Sequence, residues 1–452
     1  MKATYIDRLD ADIFSYIQYG DYADRYPTHT VQAFPQRFYD ELRTASAALF
    51  HIFCKAAAVF QHAPADFARA MDMPAQLLPY LHLPNAFHLP TWLSRFDFVL
   101  DAQGHIHMVE INADTPCFIV ESFYANGVAA DYFGMSDPNE GALSALRAFL
   151  ARIHAALCMP VADLREKTLS CRPFVFSCFE DYPEDFSTTR FLMRQMQEGA
   201  PHADIRFLSF YEMALDAAGI PLTDGGYAGA LYRLHPMEIL IDEQTMEGEP
   251  LGQMFLELYK AGKFSLFNPP EAIILQNKSF MALVYALART RQFFTAHECG
   301  IIERYLTPSY FADDFDTCAD GAYIRKEIWG REGRNVSIVE KHGCSHTIPL
   351  RKQVENEDEI ICRESKKAMY QTFIRQPHFV HTVDSGEKEG FLTLSCFMLF
   401  GAPSAVGARF SPEEIAGTEA YFVPLVEAAS ETKKWDCCTK VNLSLCNSPS
   451  FR

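Results

Sequence analysis

Residues 95–114 read RFDFVLDAQGHIHMVEINAD, and the alternation in this stretch decides the fold. Side chains alternate between the two faces of an extended strand. Arg95, Asp97 and Val99 therefore share one face, and Phe96, Phe98 and Leu100 the other. Asp101-Ala102-Gln103-Gly104 supplies turn residues. The alternation resumes at His105 and puts Met108, Glu110, Asn112 and Asp114 together. An even loop pairs Leu100 with His105, Asp97 with Met108 and Arg95 with Glu110, and directly opposed residues share a face. The expectation is a β-hairpin that gathers Arg95, Asp97, Glu110 and Asn112 on one side. A slip of one residue in register would separate the two sets. Two carboxylates and an amide oxygen are hard donors suited to Mg²⁺, which keeps several waters and shares phosphate oxygens. Arg95 among them has the chemistry to hold a carboxylate or phosphate. The same residues also read as a solvated face with an Arg95–Glu110 ion pair.

Outward from this hairpin, residues 322–340 read AYIRKEIWGREGRNVSIVE: a strand, a glycine loop and a second strand. Gly330 and Gly333 flank Arg331 and Glu332 and permit close backbone approach to phosphate. Lys326 stands just before the loop. The pattern is neither a Walker A sequence nor GxGxxG, and a GxxG between strands also serves as a plain hairpin turn. Gln276-Asn277-Lys278 opens an apolar helix within 270–300 and offers a second lysine. Between these segments lies an α/β unit. It comprises a buried strand at Phe174–Ser177, an acidic loop, a helix from about Ser187, and strands at Ile205–Leu208 and Ala228–Leu234. Glu180, Asp181, Glu184 and Asp185 in the loop suit a protonated polyamine, and equally a solvated loop that caps a helix. Helical spacing also marks 36–72 and a segment from about Pro138.

The chain has 452 residues, enough for two large domains or three ordinary ones. Its 49% hydrophobic and 22% charged composition is globular. With 58 acidic residues against 40 Lys and Arg, the formal charge is −18. That argues against nucleic acid, whose binding rests on cations, and against a polybasic membrane anchor. The uncharged run from Phe391 to Ala408 has the length of a membrane span. It contains Thr393, Ser395, Gly401 and Pro403, and reads as two short buried strands around a Gly401–Pro403 turn. Met1–Asp12 is charged early and lacks an apolar segment, so no signal peptide is expected. Thirteen cysteines with no CxxC pair fit reduced thiols in a cytoplasmic protein.

Taken together, five segments resemble the glutathionylspermidine synthase family in its ATP-grasp synthetase part. They are the hairpin through Pro116, EDFSTTRFL at 184–192, LYRLHPMEILIDE at 231–243, NPPEAIILQNKSFMALVYAL at 268–287, and the glycine-loop segment. Weaker similarity continues through Arg375-Gln376, Gly407-Ala408-Arg409 and Phe422-Val423-Pro424. The resemblance implies an α/β (α+β) chain with a permuted ATP-grasp ligase fold. It also implies ATP- and Mg²⁺-dependent joining of a carboxylate to an amine through an acyl phosphate. In the family the acid is glutathione and the amine spermidine; the alternatives are another acid and amine, or a non-catalytic ATP-binding homologue. By motif, Asp97, Glu110 and Asn112 would hold the metal, and Arg95 and Arg409 would serve the transferred phosphoryl group. Lys278, Lys326, Gly330, Arg331, Glu332, Gly333 and Gln376 would bind ATP. Thr115, Glu184 and Asp185 would contact substrates. The implied division is 1–160 with the metal hairpin, 161–265 as a pre-ATP-grasp-like domain, 266–430 as the nucleotide-binding part, and a tail at 431–452. The family's Lys-Pro before the glycine loop is Lys326-Glu327 here, and no amidase activity is expected, since the chain enters the synthetase part almost at once. Asp97→Ala or Glu110→Ala is expected to abolish ATP turnover with the fold intact.

Overall fold

The computed structural model describes residues 4–18, 23–158, 161–163, 168–170, 172–223, 225–312, 322–340, 345–347, 363, 367–417 and 419–428. The expected tail at 431–452 lies outside them. Phe38, Leu42, Leu49 and Phe53 recur at helical spacing, and Gln36–Phe60 (α1) buries that stripe. The helix ends at Phe60 rather than near 72. Pro64 separates it from a short helix at Ala65–Ala70, as expected of a residue that cannot continue a helix. Among the described residues α1 is the one helix long and apolar enough to cross a membrane. Here it packs on the hairpin, with Phe50 and Phe53 ring centroids 6.3 Å and 6.4 Å from that of Phe96.

The hairpin consists of Leu93–Leu100 (β1) and Ile106–Asn112 (β2). Its register differs from the expected one. Leu100 pairs with Ile106, not His105. The loop is odd because Gly104 adopts the left-handed region at φ 84° and its N–H returns to the Asp101 carbonyl at 2.9 Å. The register then shifts again. Phe98 faces Met108 but Asp97 faces Glu110, which leaves Val109 unpaired in a β-bulge. The two one-residue offsets add to two, which restores parity, so Arg95, Asp97, Glu110 and Asn112 do share a face, with Arg95 opposite Asn112. Met108 lies on the turn side of the bulge and does not join them; it is buried in the core opposite Phe98.

The expected helix from about Pro138 runs over Ala142–Leu157 (α2) and buries Leu146, Phe149, Leu150 and Ile153. Phe174–Ser177 (β3), Ile205–Phe207 (β4), Ala230–Arg233 (β5) and Ser265–Phe267 (β6) form a parallel sheet in the order β4-β3-β5-β6. Pro183–Gly199 (α3) starts earlier than expected, with Pro183 in its first turn. Proline is preorganised for that position, and the helix dipole favours carboxylates beside it. Glu184 and Asp185 are therefore helical, not part of a loop. Met237–Leu240 (α4) follows β5. The apolar run at 270–300 divides into Ala272–Gln276 (α5), Ser279–Thr290 (α6) and Ala296–Tyr305 (α7). Thr295 starts α7 with a capping box to Glu298, which explains the break.

Ser309–Tyr310 (β7), Ala322–Glu327 (β8), Ser337–Glu340 (β9), Ser345–Thr347 (β10) and Ala368–Thr372 (β11) form an antiparallel sheet in the order β7-β11-β8-β9-β10. Phe379–Val383 (β12), Gly386–Leu399 (β13), Ala402–Ser411 (β14) and Tyr421–Val423 (β15) complete the hairpin's sheet in the order β15-β14-β13-β1-β2, with β12 on β13. The uncharged run thus lies within two long strands, of 14 and 10 residues, that turn at Phe400-Gly401. This topology sets Ser395 opposite Asp97, and Arg409 opposite Thr393. Both fall on the face that carries Arg95 and Glu110. The chain is a mixed α/β structure.

Candidate active site

Asp97 is buried at 1% exposure and sits at the centre of the sheet face. Arg95 donates to both of its oxygens, Nε to Oδ1 and NH2 to Oδ2, each at 2.8 Å. Ser395 Oγ donates at 2.7 Å, Arg409 NH2 at 3.0 Å and Asn112 Nδ2 at 3.2 Å. Burial opposes the charge on Arg95, but Asp97 more than offsets it and raises the guanidinium pKa. The expected Arg95–Glu110 pair does not form. Glu110 instead meets Lys278, Oε1 to Nζ at 2.7 Å. Burial opposes ionisation of Glu110, yet Lys278 and Lys326 hold its pKa down at about 2.

Lys326 donates to Gln371 at 2.9 Å and to the Val109 carbonyl at 3.1 Å. The bulge thus supplies an acceptor that an unbroken ladder would not leave spare. Burial, with Lys278 nearby, lowers the Lys326 pKa to about 8. Among the described residues, the carboxylates that form ion pairs with Arg95, Arg409 and Lys278 are Asp97 and Glu110, with Lys326 beside them. A surplus of positive charge in a chain of net −18 is a site for an anion. The glycine loop closes beside it: Lys278 Nζ donates to the Gly330 carbonyl at 2.8 Å. Glu332 and Gly333 take positive φ, 51° and 70°.

The opposite side is acidic. Glu184, Asp185 and Glu332 line it. Burial first, then Glu184, pushes Asp185 up to about 8; burial and Glu184 also raise Glu332. Glu121, fully buried, is pushed up to about 8 by burial and Glu184, and accepts from Tyr26 at 3.1 Å. Cys117 joins the two sides. Its carbonyl accepts from Arg95 NH1 at 2.8 Å, and its Sγ lies 3.8 Å from Asp185 Oδ1. One cavity of about 670 Å³ takes in both sides. Every residue that the resemblance assigns to the site lines it, including Thr115 and Gln376, whose side-chain amide donates to the Glu414 carbonyl; Ser395, Glu121 and Gln371 lie behind the wall.

A family model for the glutathionylspermidine synthase preATP-grasp region matches residues 5–426. The chain belongs to this family. As a glutathionylspermidine synthase family protein it is of the ligase type, with small-molecule substrates.

Among the described residues no three His, Cys, Asp or Glu side chains gather as a metal site. The hairpin offers two carboxylates and the Asn112 amide. That donor set is too small for a closed protein cage. It suits an ion that completes its shell with water and phosphate oxygens. Several of the residues that hold the site together have no sequence signal of their own. Ser395 stands in the uncharged run, and Tyr26, Glu121 and Cys117 lie outside any chemical motif. Only the fold brings Tyr26 and Cys117 to the cavity wall and sets Ser395 and Glu121 behind it.

Proposed function

We propose that this member of the glutathionylspermidine synthase family is an ATP- and Mg²⁺-dependent carboxylate–amine ligase acting through an acyl phosphate on a permuted ATP-grasp fold. The observation that carries the reading is the two-sided cavity: a cationic cluster and an acidic helix turn that meet at Cys117. Lys278 and Lys326 bind the ATP phosphates, and the Gly330–Asn335 loop, with Gln376, closes over the nucleotide. Asp97, Glu110 and Asn112 would hold Mg²⁺, which neutralises phosphate charge and orients the transferred group. Arg95 and Arg409 neutralise the phosphoryl group and hold the acid, with Thr115 beside it. Phosphoryl transfer needs positioning and charge neutralisation more than a protein nucleophile. Glu184 and Asp185 draw a cationic amine to the same centre. The family's acid and amine, glutathione and spermidine, fit the two polarities. The functional division into 1–160, 161–265, 266–430 and the tail belongs to this reading, as does a cytoplasmic location.

ADP release with ATP, Mg²⁺, glutathione and spermidine tests it. Release that needs both, with the amide seen by mass spectrometry, supports the reading. Release with another acid and amine keeps the chemistry and reassigns the substrates. No release with any pair rejects the ligase.

A further inference from the structure

The segment LYRLHPMEILIDE at 231–243 has no part in the chemistry above, yet three of its residues tie together parts of the site. Arg233, 1% exposed, forms a bidentate ion pair with Asp114, NH2 to Oδ1 at 2.6 Å and NH1 to Oδ2 at 3.0 Å. The Met237 N–H donates to the same carboxylate at 2.9 Å. Asp114 lies two residues beyond Asn112, so the start of α4 is fixed to the end of the metal hairpin. One residue further, Glu238 is 1% exposed and pairs with Arg331 of the glycine loop, Oε1 to NH2 at 2.6 Å. Arg363 also contacts this element, at the Glu238 carbonyl and the Asp242 carboxylate.

The Glu238–Arg331 contact is single-pronged. Glu238 Oε2 and Arg331 Nε are both buried with no hydrogen-bond partner among the described residues. Arg95–Asp97, by contrast, uses two prongs. A pair built only for stability would satisfy both atoms, because an orphaned buried polar group is costly. The orphaned atoms are buried, but the Arg331 side chain is 27% exposed and lines the cavity, where a guanidinium suits an anion.

We propose that Glu238 is a positioning residue: it latches Arg331, and with it the Gly330–Asn335 loop, over the cavity, and the Asp114–Arg233 pair couples that latch to the metal hairpin. Closure and the hairpin then share one rigid connection. The role in ATP binding rests on the ligase reading, but the latch itself does not.

Two measurements test it. In the first, the ligand-free protein is digested with trypsin, and cleavage after Arg334 is followed for the wild type, Glu238→Gln, Glu238→Ala and Arg331→Lys. The latch predicts cleavage about tenfold faster after Arg334 in all three variants, with cleavage at sites outside the loop unchanged. Unchanged cleavage in Glu238→Gln and Arg331→Lys, both conservative and expected to fold, overturns it. In the second, MgATP affinity is measured for Glu238→Gln, Arg331→Ala and the double variant. Glu238→Gln weakens binding about tenfold, Arg331→Ala at least as much, and the double variant no more than Arg331→Ala alone, because Glu238 acts only through Arg331. Losses that multiply in the double variant overturn the coupling. If the wild type binds no ATP, the ligase reading fails, and the trypsin result alone decides the latch.

Discussion

Arg95 and Asp97 stand two residues apart on one strand face and form a buried bidentate ion pair, both contacts at 2.8 Å. Because Arg409, Asn112 and Ser395 also converge on Asp97, this carboxylate is the keystone of the cationic side as well as a candidate metal ligand. Asp97→Ala leaves buried guanidinium groups without their counter-charge. Breaking such a pair from one side costs about 3–5 kcal/mol. Glu110 differs: its side chain is 29% exposed, and Lys278 keeps the Gly330 carbonyl when it is gone. Glu110→Ala should cost less, about 1.5–3 kcal/mol, the scale of one charge-assisted contact. Both variants should lose ADP release. Urea unfolding separates them, and equal stabilities would contradict the keystone role. Asp97→Ala is thus expected to be the less stable of the two.

ATP affinity should weaken as pH rises through 8. Burial lowers the Lys326 pKa to about 8, so the free protein loses this charge there. Above that pH, binding must first restore the proton, at a cost of about tenfold in affinity per pH unit. Lys326→Arg should keep affinity level from pH 7 to 9.5, since arginine does not titrate there. The sign for stability is opposite. Between about pH 8 and lysine's ordinary value the unfolded chain binds the extra proton, so Lys326 makes stability rise with pH across that window. Calorimetric titration with MgATP at several pH values checks the first claim. An equal pH slope in Lys326→Arg would remove Lys326 from the phosphate site.

Amine binding should show the reverse trend. Asp185 is held protonated up to about 8 by burial and by Glu184. A cationic amine needs the carboxylate, so its KM should fall as pH climbs from 6 to 8. Asp185→Asn should raise the amine KM at least tenfold, remove this slope and leave the ATP KM within about twofold, since one charge-assisted contact is worth about 1.5–3 kcal/mol. Its raised pKa also means that the native state binds the extra proton between about pH 4 and 8. Asp185 therefore lowers stability as pH rises through that window. Asp185→Asn should gain more melting temperature at pH 8 than at pH 5. A change in ATP KM with amine KM untouched would relocate the amine.

Much of the site was legible in the sequence, for a reason that the hairpin makes plain. Face assignment depends on parity alone, and parity survived two errors. The odd turn at Gly104 and the bulge at Val109 each shift the register by one, so Arg95, Asp97, Glu110 and Asn112 end on one face. Met108 sits between the two shifts and was assigned to the wrong face. No local signal marks Val109 as a bulge. Its cause is tertiary: the carbonyl meets Lys326 from a strand more than 200 residues away. The helix start at Pro183 was legible in principle, from proline followed by two carboxylates. Partners such as Ser395 for Asp97 and Glu238 for Arg331 are set by sheet order and domain packing, which one sequence does not encode locally.

The two loop glycines should respond differently to alanine. Gly333 has φ 70°, and a Cβ there would lie 2.8 Å from the Ala416 carbonyl oxygen. Alanine is strained in that backbone region, and the carbonyl cannot retreat without moving the 415–417 segment. A penalty of about 1–3 kcal/mol falls on the seated loop. If seating the loop is part of nucleotide binding, Gly333→Ala should weaken MgATP binding by about tenfold or more. Gly330 lacks a positive φ, and its nearest contacts for a new Cβ are 3.3–3.5 Å away. Gly330→Ala should bind MgATP within about threefold of wild type, because a contact of that length is relieved by small shifts. Neither change alters a charged side chain, so the comparison isolates the loop backbone. Equal affinities for the two variants would mean that the loop does not seat on 415–417 when nucleotide binds. A larger loss in Gly330→Ala would place the critical backbone approach at its carbonyl, which Lys278 already holds at 2.8 Å.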